Sequence, residues 1–104
     1  MLREAEFTQW MLDRNYPPLT PRHYLRDLAK LPAEFGISIE PVTNAKTDNI
    51  LDLLRTAKAA EAAGSTDYNR LRNYIAAVCR YHEFSEGHLA LGCQQRGADH
   101  ADPK

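Results

Sequence analysis

Apolar residues recur every three to four positions in four segments of this chain, a spacing that places them on one face of an amphipathic helix. In the second segment, Tyr24, Leu25, Leu28 and Leu31 share a single face in this way. The four predicted helices cover about residues 3–14, 21–35, 47–63 and 66–84. The pattern therefore predicts an all-α fold, namely a small four-helix bundle.

Capping residues predict the ends of the second helix. Thr20 is a suitable N-cap, and Pro21 then occupies the first helical position, where its missing N–H costs nothing. Pro32 should kink or end the helix, because proline lacks an amide donor and clashes with the preceding turn. Gly36 suits the left-handed position that follows a helix.

The third and fourth helices are separated by Gly64, which should end the one before Ser65 caps the next. Either Thr47 or Asp48 can cap the third helix at its start. Its alanine-rich end, at residues 59–63, has high helix propensity. We therefore expect the third helix to continue almost to the glycine.

Residues 37–42 alternate between apolar and polar, as a strand would, but the segment is short and contains Pro41. No other segment of the sequence could pair with it. We interpret it as an extended loop whose Ile37 and Ile39 reach the core.

The periodic pattern ends near Gly87, after which Gly, Gln, Asp, His and Ala dominate. We therefore assign residues 1–86 to the helical domain and residues 87–104 to a flexible, frayed tail or linker. The phase of each helix predicts one common core, formed by Trp10, Tyr24, Leu28, Leu54, Ile75 and Val78.

Composition narrows the possible functions. The 104 residues include 13 Lys and Arg against 14 Asp and Glu, so the net charge of −1 excludes a polycation. The apolar runs are too short to span a bilayer, and the N-terminal residues do not resemble a signal peptide. Two cysteines do not make a disulfide framework, so we expect two reduced thiols in a cytoplasmic protein.

Positive charge is clustered locally on the second helix. Arg22, Arg26 and Lys30 follow one another at intervals of four residues, on a different face from the apolar stripe. Such a helix can pack on one side and meet an anion on the other. Because the acidic Asp27 lies beside Arg26, the same pattern is equally typical of a solvent-exposed helix face that binds no ligand.

The pattern of aromatic and aliphatic positions from Phe7 to Phe84 resembles the N-terminal SAM-like, or core-binding, domain of tyrosine recombinases, the phage integrases. The matching residues are Phe7, Trp10, Thr20, Tyr24, Leu28, Leu71, Ile75, Val78, Tyr81 and Phe84. The resemblance implies a SAM-like four-helix fold that clamps duplex DNA with the starts of its second and fourth helices. The DNA-binding residues implied by position are Thr20, Arg22, His23, Arg26, Ser65, Thr66, Asn69, Arg70 and Asn73.

The catalytic half of that family is not present in this sequence. The segment from His23 to Arg26 reads H-x-x-R, as in a recombinase active site. It lies, however, in the part that resembles the N-terminal domain, whereas the catalytic residues of the family lie in a separate domain. We therefore expect no enzymatic activity and no cofactor. The implied partners are duplex DNA, bound weakly, and a downstream catalytic domain or another protein.

Four residues near the end of the chain have the spacing of a small zinc module: Cys79, His82, His88 and Cys93 read C-x2-H-x5-H-x4-C. A helix would place Cys79 and His82 on the same side. Against this, Cys79 follows Val78 on the apolar face, where a lone cysteine is usually a small buried hydrophobe. We therefore expect no bound metal.

A second class of function stays open, a stand-alone helical module that binds another protein and not DNA. Acidic residues interspersed with basic ones favour this alternative, whereas the helix pattern favours DNA. The sequence permits both a complete gene product and a module of a longer protein.

Overall fold

The computed structural model describes residues 1–94, which form a helical bundle. Its helices are α1 (Glu4–Asp13), α2 (Leu19–Phe35), α3 (Asn44–Ala59), α4 (Thr66–Glu86) and α5 (Leu91–Gln94). Residues 1–94 contain no β-strand. The prediction of an all-α bundle is confirmed, and α5 is an addition to the four helices that the sequence predicts.

Helix α4 is the centre of the bundle, because it packs against α1, α2 and α3. Within the predicted common core, Leu28, Leu54, Ile75 and Val78 are at most 4% exposed. The two large aromatic members, Trp10 and Tyr24, are half-buried and pack against the core from its edge. Phase on each helix therefore predicted the aliphatic core correctly and overstated the burial of the two rings.

Helix α2 begins earlier than predicted. Pro18 has helical backbone angles, with φ −57° and ψ −28°, and Thr20 donates its amide to the carbonyl of Pro17 at 3.0 Å. Thr20 is therefore inside the helix and is not its cap. Pro21 is tolerated because amides of the first turn have no intrahelical partner in any case.

The end of α2 follows the sequence prediction more closely. The helix continues through Pro32 to Phe35, and Gly36 adopts the left-handed conformation with φ 70°. The amide of Gly36 donates to the carbonyl of Pro32 at 3.0 Å, which closes the last turn. The prediction for Gly36 is confirmed.

Helix α3 is displaced towards the N-terminus relative to the prediction. Its N-cap is Thr43, whose hydroxyl accepts a hydrogen bond from the amide of Lys46 at 3.0 Å. Thr47, one of the predicted caps, lies inside the helix and is fully buried. The alanine-rich segment after Ala59 is not helical although its propensity is high. Its residues are exposed, so a longer helix would gain no packing there.

The predictions for the loop and for the start of α4 are confirmed. Ile39 is 1% exposed and Ile37 packs against the core, although neither belongs to a strand. The hydroxyl of Ser65 accepts a hydrogen bond from the amide of Tyr68 at 3.2 Å, as expected of an N-cap. Gly87 ends α4 in the left-handed conformation, with φ 83°.

The segment after Gly87 is folded as far as Gln94, contrary to its assignment to a flexible tail. Ala90 is fully buried and Cys93 is 3% exposed. Gly92 lies so close to α3 that an added Cβ would approach the Cδ1 atom of Leu51 to 2.9 Å. A residue without a side chain thus allows α5 to pack on α3. The rest of the predicted tail, residues 95–104, lies outside the described residues.

Candidate functional site

A polar cleft of about 410 Å³ lies between α2 and the first half of α4. We call it the α2/α4 cleft. Its lining residues are Arg26, Asp27, Lys30, Thr66, Asn69, Arg70, Asn73 and Tyr74. Three of these side chains are cationic, four carry neutral polar groups able to donate hydrogen bonds to an oxyanion, and only Asp27 is acidic.

The α2/α4 cleft collects five of the nine residues that the resemblance implied for DNA binding. These are Arg26, Thr66, Asn69, Arg70 and Asn73. Ser65 lies at the adjoining helix start, where its hydroxyl is engaged in capping. The remaining three, Thr20, Arg22 and His23, are on the first turns of α2 and do not line the cleft.

The basic row of α2 divides between two surfaces. Arg26 and Lys30 line the α2/α4 cleft, whereas Arg22 lines a separate hollow with Glu4 and Gln9 of α1. The reason is geometric, since positions eight residues apart on an α-helix differ in direction by about 80°. The row therefore curves around α2, and Arg22 faces a different hollow from Arg26 and Lys30.

Arg70 is not a free cation within the cleft. Its guanidinium forms a short ion pair with Glu34 and a second contact, at 3.4 Å, with Asp67. Tyr74 also donates its hydroxyl proton to Glu34, at 2.8 Å. Hydrogen bonds with Tyr74 and Glu34 raise the pKa of Arg70 above its already high usual range. Its charge is permanent but largely compensated.

Glu34 is the acidic member of this network. Although partial burial opposes ionisation, hydrogen bonds from Tyr74 and Arg70 hold the pKa of Glu34 below its ordinary value. The carboxylate is therefore ionised at neutral pH. It lowers the positive potential that an incoming phosphate would meet at this end of the cleft.

Asp27 is the least exposed charged group of the cleft, with 10% of its side chain accessible. Burial raises the pKa of Asp27, while the nearby cations Arg26, Lys30 and His23 oppose that shift. The Nε atom of Arg26 lies 3.8 Å from Oδ1 of Asp27, and the Arg26 side chain stays 60% exposed. Arg26 therefore remains accessible to a ligand in spite of this contact, as does the exposed Lys30.

A second group of residues, buried except for His88, joins α3, α4 and the segment around α5. We call it the His82 cluster; its members are Thr47, Cys79, His82, His88 and Cys93. His82 is fully buried, and its Nδ1 atom lies 2.7 Å from the hydroxyl oxygen of Thr47. The ring of His88 packs against that of His82, with 5.6 Å between the ring centres.

Cys79 and Cys93 are joined by a disulfide, with their Cα atoms 5.7 Å apart. The expectation of two reduced thiols is therefore wrong for this structure. Sequence spacing could not reveal the pair, because the predicted flexible tail gave Cys93 no defined position. In this structure, residues 1–94 contain no group of three or more His, Cys, Asp or Glu side chains arranged to hold a metal ion.

The other ring nitrogen of His82, Nε2, is buried and has no hydrogen-bond partner among the described residues. Burial lowers the pKa of His82, so the ring is neutral at physiological pH. A buried polar atom without a partner is rare, because its desolvation is uncompensated. No sequence signal could have indicated this atom, since its burial depends on contacts from separate helices.

Comparisons with protein-family models, curated proteins and solved structures found no match to this chain. The recombinase resemblance thus rests on the residues of the chain alone. Within the described part of the protein, none of the helices has the length and apolar character needed to cross a bilayer.

Proposed function

We propose that this domain binds duplex DNA weakly through the α2/α4 cleft, as a non-catalytic module of the core-binding type. One observation supports the proposal more than any other: Arg26, Lys30 and Arg70 share a single cleft with Thr66, Asn69 and Asn73. Arginine, lysine and small polar side chains are the usual partners of DNA phosphates.

The start of α4 strengthens this interpretation. Thr66, the first residue of the helix, lines the cleft, so the positive end of the helix dipole lies at its edge. Amides at a helix start favour phosphate oxygens for the same reason. A cytoplasmic location and a neighbouring catalytic domain or other protein partner are part of the same proposal.

Binding of DNA can be tested by fluorescence anisotropy with a labelled duplex of about 20 base pairs at a series of salt concentrations. Arg26→Ala combined with Lys30→Ala should weaken binding to all sequences. The log–log salt slope should flatten by about 0.9 for each phosphate that the protein no longer neutralises. Arg14→Ala combined with Arg72→Ala is the control, because it removes the same charge from exposed positions outside the cleft.

Glu34→Gln should change the affinity for DNA in the opposite direction. Removal of this carboxylate releases Arg70 from its ion pair, so DNA should bind more tightly and with a steeper salt dependence. If the wild-type protein shows no salt-dependent binding at tens of micromolar, or if the cleft and control variants behave alike, the DNA proposal is wrong.

One observation favours the second candidate function, binding to another protein. The cations of the cleft are matched by Asp27, Glu34 and Asp67, and interspersed charges of both signs are typical of a surface that recognises a protein. Failure of DNA binding, with the fold intact by circular dichroism, would make this alternative the preferred function.

A further inference from the structure

The His82 cluster contains every residue of the C-x2-H-x5-H-x4-C pattern. Cys79 and His82 lie one turn apart on α4, on the buried side of the helix. After Gly87 the chain reverses, which brings the His88 ring against His82 and Cys93 against Cys79. The chain thus forms a pair of cysteines and a pair of histidines, all of kinds that bind zinc, whose α4 members lie one helical turn apart.

We propose that the reduced form of this protein binds one Zn²⁺ ion through Cys79, His82, His88 and Cys93, and that the disulfide is the metal-free, oxidised form of the same site. Two thiolates and two imidazoles are a frequent ligand set of structural zinc. This inference does not depend on the proposed DNA binding.

The hydrogen bonding of His82 is the first argument. A histidine that binds a metal usually donates its other ring N–H to an oxygen, which fixes the tautomer and the ring orientation. The Thr47 hydroxyl can accept such a bond from Nδ1–H across the observed 2.7 Å. This tautomer leaves the lone pair on Nε2, the buried atom that has no partner among residues 1–94.

The spacing of the ligands is the second argument. Two imidazoles that share a tetrahedral zinc through bonds of about 2.0–2.1 Å hold their ring centres roughly 5 Å apart. The ring centres of His82 and His88 are 5.6 Å apart. Two thiolates on one zinc, with bonds of about 2.3 Å, are separated by roughly 4 Å. The Cα distance of 5.7 Å between Cys79 and Cys93 allows this separation by side-chain rotation.

The third argument is that α5 is held in place by more than the disulfide. The amide of Gly92 donates to Oδ1 of Asp48 at 3.3 Å, and Arg55 donates to the carbonyl of Gly92 at 3.0 Å. Ala90 is fully buried on the same segment. Once the disulfide is reduced, these contacts keep Cys93 close to Cys79.

The exchange between the two forms is chemically balanced. A cellular dithiol transfers two electrons and two protons to the Cys79–Cys93 bond, which breaks to give two thiols while the dithiol becomes a disulfide. Zinc then displaces both thiol protons into water and binds the thiolates. Reducing compartments supply such dithiols, so the zinc form is the one expected in a cytoplasm.

The proposal is tested with the full chain, reduced under anaerobic conditions and freed of metal, by titration with Co²⁺ and then Zn²⁺. We expect one equivalent of Co²⁺ to give the visible absorption of a tetrahedral ion together with a sulfur-to-cobalt charge-transfer band. Zn²⁺ should displace the cobalt and abolish both signals. The oxidised protein should show neither signal.

Variants assign the ligands. His88→Ala replaces an exposed residue and should weaken metal binding at least tenfold, whereas His23→Ala, an exposed histidine of α2, should match the wild type. Cys93→Ser should weaken the sulfur band. Thr47→Val should lower affinity by about 10–100-fold through the orientation of His82, and Thr47→Ser should restore it.

Circular dichroism of each reduced, metal-free protein separates loss of the site from loss of the fold. If reduction lowers the helicity, recovery on addition of Zn²⁺ supports the proposal, and failure to recover overturns it. The proposal is also wrong if folded, reduced wild-type protein binds no metal, or if His88→Ala and His23→Ala bind it equally well.

Discussion

The α2/α4 cleft and the His82 cluster are both polar, yet they differ in how their polar groups are satisfied. In the cleft, the charges of Arg70 and Glu34 are about one-third exposed and compensate each other. In the cluster, His82 is fully buried and one of its nitrogens has no partner among residues 1–94. Water can replace either partner of an exposed ion pair at little cost in free energy. A buried polar atom without a partner has no such replacement, so its desolvation stays uncompensated.

This difference suggests that the two regions have different roles. Side chains of the cleft are accessible and can change partners, which suits a reversible contact with a large charged molecule. Thr47, Cys79, His82 and Cys93 of the cluster are buried between α3, α4 and α5, which suits the structural metal site proposed above. Mutations in the two regions should therefore affect different measurements: binding and salt dependence for the cleft, and folding stability for the cluster.

The largest expected effect is a loss of stability in the hydrophobic core, against which the effects of mutations in the two polar regions can be compared. Leu28, which adjoins Asp27 on α2, is 2% exposed in the core. Leu28→Ala should lower the free energy of unfolding by about 2–5 kcal/mol, because it removes buried methyl groups and leaves a cavity. Urea denaturation measures this change, and a loss well below this range would contradict the burial of Leu28.

A smaller effect is expected in the His82 cluster. Thr47→Val should lower the free energy of unfolding of the oxidised protein by about 1–3 kcal/mol, because it leaves the Nδ1 group of a buried imidazole without its partner. The matched control is Thr47→Ser, which keeps the hydroxyl and loses one methyl group, at a cost of about 0.8 kcal/mol. Equal stability of the Val and Ser variants would mean that the bond between Thr47 and His82 contributes nothing.

The sequence predicted the helical class and the aliphatic core. The resemblance alone named Arg26, Asn69, Arg70 and Asn73 as DNA-binding residues; the structure brings them to one cleft, and their role in binding stays a prediction. The effect of Glu34 and Asp27 on the cleft was not predicted. Which carboxylate meets which cation depends on how α2 and α4 cross, and the sequence of either helix alone does not contain this information.

The His82 cluster was recognisable only as a spacing of ligands. The hydrogen bond between Thr47 and His82 was missed because Thr47 was expected to cap α3, whereas Thr43 caps it and places Thr47 inside the bundle. The position of Cys93 was missed because α5 is held by tertiary contacts and carries no helical pattern of its own.

The last and smallest effect concerns a buried charge in the otherwise exposed cleft. Since burial raises the pKa of Asp27, the folded protein retains this proton to a higher pH than the unfolded chain does. Between the two pKa values the folded state binds more protons at Asp27, so the contribution of Asp27 to the free energy of unfolding should fall as the pH rises through this window, whereas the lowered pKa of Glu34 contributes with the opposite sign in both proteins. Asp27→Asn removes the titrating group and with it this fall.

Urea denaturation from about pH 3 to pH 7 tests this expectation. The stability of Asp27→Asn relative to the wild type should increase towards neutral pH, where the wild type buries a charge that the variant lacks. Asp52→Asn is the control, because it removes an exposed carboxylate of α3 outside the cleft and reports the effect of net charge alone. If the free energies of unfolding of Asp27→Asn and the wild type depend on pH in the same way, ionisation of Asp27 does not destabilise the folded protein. The expectation based on the burial of this carboxylate would then be wrong.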